Sequence, residues 1–222
     1  MTLEIDNIEL AFKGKPILTG VYVKAETGKI TAILGSNGCG KSCLLHIVFG
    51  SIKPKYKLIR LNKKAILKPL YRSKTIIMLT QDNFVPGRLS LIDAFKTFHV
   101  DWVGFKNTFP QLNIYKNMKF ASLSSGAQRI VEVYIALKCN RKIILLDEPF
   151  NGIAPLYIGI FKTILLKEKQ QKIILLTDHR YDEVLSISDT LYLLKNGCAK
   201  PVKNLNELED YNYLPKGCLE TS

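Results

Sequence analysis

Gly35-Ser36-Asn37-Gly38-Cys39-Gly40-Lys41-Ser42 decides how the rest of the chain is read. It satisfies the pattern Gly-x-x-x-x-Gly-Lys-Ser/Thr at every required position. Small residues in such a turn leave consecutive backbone N–H groups free to converge on an anion, where larger side chains would block the approach. Lys41 would add a positive charge at the β- and γ-phosphates of a nucleotide, and the Ser42 hydroxyl would ligate Mg²⁺. The flanks agree with this reading. Residues 29–34, Lys-Ile-Thr-Ala-Ile-Leu, predict a buried strand running into the loop. Residues 42–49 predict a helix closed by Gly50, its positive end facing the phosphates.

Composition bounds the alternatives. The chain has 222 residues, 47% of them hydrophobic, which is enough for one substantial core. No apolar run approaches the roughly 18–20 residues that a bilayer crossing needs. Residues 1–6 alternate and carry acid, unlike a signal peptide. Five cysteines, at 39, 43, 139, 198 and 218, form no Cys-x-x-Cys pair, so a zinc site or disulfide framework is not indicated and a reduced, cytosolic setting is. The net charge is +13, and from Glu26 to Asp82 eleven Lys or Arg occur with no acid between them. Such a surface attracts nucleic acid, anionic lipid or an acidic partner, or is simply solvated.

Along the chain, residues 3–12 alternate as a half-buried strand, and Val21 with Val23 continue a second one, an antiparallel prelude to the loop strand. Phe12 is either core or a base-stacking platform, and spacing alone favours the core. Residues 57–61 and 75–80 read as short strands, the second delivering Gln81 to its end, where ligands of α/β sheets gather. Residues 84–138 predict a small helical lobe, with Ser90 and Asp93 as a start signal. Ser124 or Ser125 caps a further helix that begins in Leu-Ser-Ser-Gly-Ala, residues 123–127. Residues 143–148, Ile-Ile-Leu-Leu-Asp-Glu, are a buried strand ending in acid, which places Asp147 to hold Mg²⁺ and Glu148 to activate water. Pro155 opens a helix reaching Glu168, residues 172–177 form another buried strand ending at Asp178-His179, and residues 189–195 a last one before the Asn196-Gly197 turn. The tail carries one amphipathic piece around Leu205 and Leu208.

Together these motifs resemble an ATP-binding cassette (ABC) ATPase, from Phe12 to about Lys200. The resemblance implies a single cassette over residues 1–222: an α/β P-loop NTPase with a mostly parallel sheet, an antiparallel β part and a helical lobe near 84–138. It implies Phe12 as the aromatic stacking on adenine, Gly35 to Ser42 as Walker A, and Gln81 as the Q-loop glutamine, also near the metal. Ser124, Ser125 and Gly126 fall in the signature, Asp147 and Glu148 in Walker B with its catalytic glutamate, and His179 at the switch histidine. The chain departs from the family at Ser125 and Ala127, which replace a glycine and a glutamine, and at Ala154, where an aspartate is usual. Close similarity of residues 147–155 and 177–179 points to the ATPases of lipopolysaccharide-export and branched-chain amino-acid systems. The implied cofactors are ATP and Mg²⁺. The implied partners are a second cassette in a head-to-tail homodimer and a separately encoded membrane permease, with the protein peripheral on the inner, cytoplasmic face of the membrane. The other functions in view are a soluble ATPase acting on nucleic acid or a cytosolic assembly, and a low-turnover nucleotide switch.

Overall fold

A computed structural model describes residues 1–214. Two sheets organise them. Strands β1 (Thr2–Phe12) and β2 (Lys15–Glu26) form an antiparallel hairpin, and β4 (Tyr56–Leu61) with the two-residue β5 (Lys64–Ala65) extends it in the order β2-β1-β4-β5. The second sheet contains β3 (Ile30–Leu34), β6 (Ile76–Leu79), β7 (Ile143–Asp147), β8 (Ile173–Thr177), β9 (Thr190–Lys195) and β10 (Cys198–Val202). Its order is β10-β9-β3-β8-β7-β6, parallel throughout except for β10.

Every residue of β3, β6, β7 and β8 is buried. Both faces of this sheet are covered, which is why its strands read as unbroken apolar runs rather than alternating ones. Neighbouring residues serve opposite cores. Ala32 and Leu34 join the core under the helical lobe, while Ile33 joins the one shared with the antiparallel sheet and helix α1 (Lys41–Phe49).

The predicted lobe contains α2 (Leu91–Thr97), α3 (Trp102–Thr108) and α4 (Ser125–Lys138), linked by short 3-10 turns. Ser90 caps α2 reciprocally: its hydroxyl accepts from the Asp93 amide at 3.2 Å and donates to the Asp93 carboxylate at 2.6 Å. Phe95, Phe105 and Phe109 are fully buried and stack around Tyr134, so the aromatics of this lobe are its core. Helix α5 (Pro155–Glu168) has the predicted bounds, and short helices α6 (Tyr181–Leu185) and α7 (Asn206–Asp210) follow.

The expected strands all form. Two strands exceed the expectation: β5, and β10, which pairs back on β9 across Asn196-Gly197. Lys200 and Pro201 obscure β10 in the sequence, and proline is tolerated there because β10 is an edge strand. Because β3, β6, β7 and β8 run in parallel, their C-terminal ends open on one edge of the sheet. That edge carries the site.

Candidate functional site

The loop from Gly35 to Gly40 connects the end of β3 to α1, and two glycines are forced by space. A Cβ at Gly35 would lie 2.6 Å from Cys39 Sγ and from the Leu194 carbonyl oxygen. At Gly40 (φ 108°) it would lie 2.9 Å from Leu18 Cδ2, in a backbone conformation that other residues rarely adopt. Lys41 is 5% exposed, and its ammonium donates to the carbonyls of Gly35 at 2.7 Å and Ser36 at 3.1 Å. The loop therefore presents N–H groups, a helix N-terminus and a held cation toward one place.

That place is a cavity of about 680 Å³, lined by Phe12, Asn37, Gly38, Gly40, Lys41, Ser42, Gln81, Glu148 and His179 among others. Phe12 is 50% exposed at its mouth, so the placement in the core that spacing predicts is wrong. The hairpin turn after Phe12 ends the alternation, and the ring stands in solvent beside the loop. Gly35, Ser36 and Cys39 are not among the lining residues; they form the loop's outer side, next to Leu193, Leu194 and Lys195.

Asp147 ends β7, is 2% exposed, and its Oδ1 accepts from the Thr177 hydroxyl at 2.6 Å. Glu148 follows with φ 49°, left-handed for a non-glycine residue, which costs about 1–2 kcal/mol. Three bonds to its main chain hold it there: its N–H donates to the Thr177 carbonyl at 2.8 Å, and its carbonyl accepts from Arg129 Nη2 at 2.7 Å and from the Asn151 amide at 3.1 Å. The strain turns the carboxylate into the cavity, 3.7 Å from His179 Nδ1. Ser42, Asp147 and Gln81 supply only oxygen donors of the kind Mg²⁺ takes.

Ser124 caps α4, its hydroxyl accepting from the Ala127 amide at 3.3 Å. Ser124 and Ser125 are exposed. None of Ser124, Ser125 and Gly126 lines the phosphate-loop cavity; Ser125 lines a separate groove with Gln81, Gln128 and Asn151. The structure thus gathers Phe12, Asn37, Gly38, Gly40, Lys41, Ser42, Gln81, Glu148 and His179 in one place and leaves Gly35, Ser36, Cys39 and the signature residues outside it.

Three supporting residues escape sequence reasoning. Arg129 is buried on α4 and donates to the carbonyls of Thr80, Asp147 and Glu148. Glu132, one turn on, accepts through Oε1 from the amides of Phe84 at 2.7 Å and Val85 at 2.9 Å, while Oε2 is buried with no partner among the described residues. Burial pushes its carboxyl above the ordinary value. Asp178 is fully buried and accepts from the Phe150 and Arg180 amides, tying the β7 and β8 loops together. Arg129 and Glu132 looked like ordinary polar positions of a helix. Only the packing of α4 against the sheet edge buries them.

The family model described as ABC transporter matches residues 18–151. This chain belongs to the ABC transporter family. Its fold agrees: a solved structure titled as the ATP-binding subunit of an ABC transporter superposes with a TM-score of 0.82 at 20% identity, covering 100% of this chain and 97% of the other. The arabinose import ATP-binding protein AraG of Mannheimia succiniciproducens is 30% identical over 88% of this chain, which spans 42% of that protein's length. The lipopolysaccharide export system ATP-binding protein LptB of Escherichia coli K12 is 27% identical, over 88% of each chain. The chain is an ATP-binding ATPase cassette of this family. Among the described residues no helix is long and apolar enough to cross a membrane.

Proposed function

We propose that the chain acts as a single cassette that binds and hydrolyses MgATP in the cavity between Phe12 and Glu148, and so powers a separate membrane permease. The convergence of Lys41, Ser42, Gln81, Glu148 and His179 on that one cavity carries this reading. Phe12 would stack on the base, the amides of residues 37–42 and the Lys41 ammonium would hold the phosphates, and Ser42, Gln81 and Asp147 would hold the metal, whose charge would offset that of the phosphate oxygens. Glu148 would orient and deprotonate the attacking water, with His179 beside it as a hydrogen-bond partner of the γ-phosphate.

The exposed signature residues support a head-to-tail homodimer. A second copy would bring its Ser124, Ser125 and Gly126, at the N-terminus of α4, to a phosphate that its own chain's signature does not reach. Permease docking falls to residues 81–88, at the sheet edge beside α4, on the inner face of the membrane. There Phe84 is half-buried and Pro86 and Arg88 are exposed, while Val85 is 3% exposed. Contact with a permease would therefore run through Phe84, Pro86 and Arg88, and Val85 serves the core. The relatives named above carry arabinose and lipopolysaccharide in their names, so cargo does not follow from family membership.

Titration of nucleotide with Mg²⁺ tests the reading. Lys41→Ala removes the only side-chain cation of the phosphate loop and is expected to abolish ATP binding. Binding as tight as in the parent would refute the site.

A further inference from the structure

Apart from Lys41, the basic stretch between Glu26 and Asp82 takes no part in the nucleotide cavity. Much of it is displayed on one side of one segment. Strands β4 and β5 close on a two-residue turn in which Asn62 and Lys63 have φ 50° and 67°, the left-handed pair of a tight hairpin. The Ile66 amide donates to the Ile59 carbonyl at 2.7 Å and carries the pairing one step further. Ile66 and Leu70 then turn into the core shared by the antiparallel sheet and α1. Pro69 lies on Gly50 at the end of α1, and the Tyr71 ring centre is 5.7 Å from that of Phe49. Because Ile66 and Leu70 enter one core, their neighbours face away from it. Lys63 and Lys64, Leu67 and Lys68, Tyr71 and Arg72 are all exposed, Leu67 to 90%.

Elsewhere on this sheet the cations are neutralised. Lys55 meets Glu9 at 3.8 Å, and Arg60 lies between Asp6 at 3.2 Å and Glu4 at 3.8 Å. Among the described residues no carboxylate pairs with Lys63, Lys64, Lys68 or Arg72; Arg72 lies instead over the Tyr71 ring, 5.8 Å from its centre. The segment therefore offers four unneutralised cations around an outward leucine and a tyrosine. Charge alone fits any polyanion. Leu67 and Tyr71 decide among them. At an anionic lipid surface the headgroup phosphates meet the cations, the leucine enters the apolar boundary beneath, and the tyrosine sits at headgroup level. A nucleic-acid backbone would satisfy the cations and leave the leucine in water.

We propose that residues 63–72 form a contact surface for anionic phospholipid, which seats the chain on a membrane by its own residues. This deepens the membrane setting of the proposed function and rests on it. Vesicles without a permease test it apart from permease docking, and ATP titration of the same preparations reports separately on the nucleotide site.

The experiment is co-sedimentation of the full chain with vesicles of phosphatidylcholine alone and of phosphatidylcholine mixed equally with phosphatidylglycerol. The parent is expected to bind only the anionic vesicles, and to leave them as salt shortens the Debye length from about 10 Å at 0.1 M to about 3 Å at 1 M. Each cation near the surface is worth about fivefold, so Lys63→Ala with Lys64→Ala should weaken binding about 25-fold. Leu67→Ser should weaken it on the order of tenfold. Lys116→Ala with Lys119→Ala, two exposed lysines of the helical lobe, should leave it unchanged. All these side chains are exposed, so Tm and the Kd for ATP should stay near those of the parent. A parent that does not bind anionic vesicles would overturn the proposal. Equal losses in the two lysine pairs would also overturn it, by tracing binding to net charge alone. Duplex DNA is the competing ligand: DNA that displaces the vesicles, with Leu67→Ser without effect on either, would assign the surface to nucleic acid instead.

Discussion

Arg129 holds Glu148 by its backbone: Nη2 donates to the Glu148 carbonyl at 2.7 Å and to the Asp147 carbonyl at 2.9 Å, while Nη1 reaches Thr80 at 2.6 Å. One buried guanidinium thus joins the signature helix, the end of β6 and the acidic end of β7. Since Glu148 sits in a left-handed conformation, this bond helps to keep its carboxylate in the cavity.

Arg129→Ala removes the side-chain donor to the Thr80 and Asp147 carbonyls and leaves the Glu148 carbonyl with the Asn151 amide alone. The expected loss is about 3 kcal/mol, or roughly 6–12 °C in Tm for a domain of this size. The ATPase rate should fall further than ATP affinity, because Glu148 is released while the phosphate loop is not. Thermal unfolding and ATPase assays on one preparation check both.

Glu132→Gln has an expectation that depends on pH. Burial raises the folded-state pKa of Glu132 above its ordinary 4.5, so the folded protein holds this proton more tightly than the unfolded chain does. The carboxyl therefore costs nothing below 4.5, and the cost grows as pH rises through the window from there to the raised value. Glutamine keeps an acceptor for Phe84 and Val85 and cannot ionise. The variant should show a higher Tm than the parent at pH 7, and the gap should close as pH falls toward 4.5. A gap independent of pH would mean that Glu132 is not the titrating group.

Much of this was legible beforehand. β3, β7 and β8 announced themselves because a sheet buried on both faces has no polar positions to interrupt the apolar run. Lys41, Glu148 and His179 were singled out by residue type at the ends of such strands, and the structure brings them to one cavity. Phe12 was misplaced by spacing, since an alternating strand does not reveal where its last residue leaves the core. Arg129, Glu132 and Asp178 gave no signal, because each acts through a main-chain group that is distant in sequence.

Phe12→Ala should weaken ATP binding by about 5–150-fold, the range expected for losing one stacked base, and Phe12→Trp should restore it. Stability should scarcely change, because the ring is half exposed. A titration in which the alanine variant matches the parent would move the adenine elsewhere.

Ala154 stands at the N-cap of α5 with φ −64° and ψ 143° and has no side chain to cap it. Ala154→Asp places a carboxylate where the free helix amides need an acceptor. It should raise stability by about 1 kcal/mol, near 2–4 °C in Tm. If the family's cross-interface contact is also restored, the Hill coefficient for ATP hydrolysis should rise. An unchanged Tm would show that the cap is already satisfied.

The most direct measurement is the ATPase rate of Glu148→Gln beside its affinity for ATP. The substitution keeps the size and the left-handed backbone while removing the base. Turnover is expected to fall roughly 10²–10⁴-fold with ATP binding retained, and the ATP-bound protein should accumulate as a dimer. A variant that hydrolyses ATP at the parent's rate would contradict the assignment of this cavity's chemistry to Glu148.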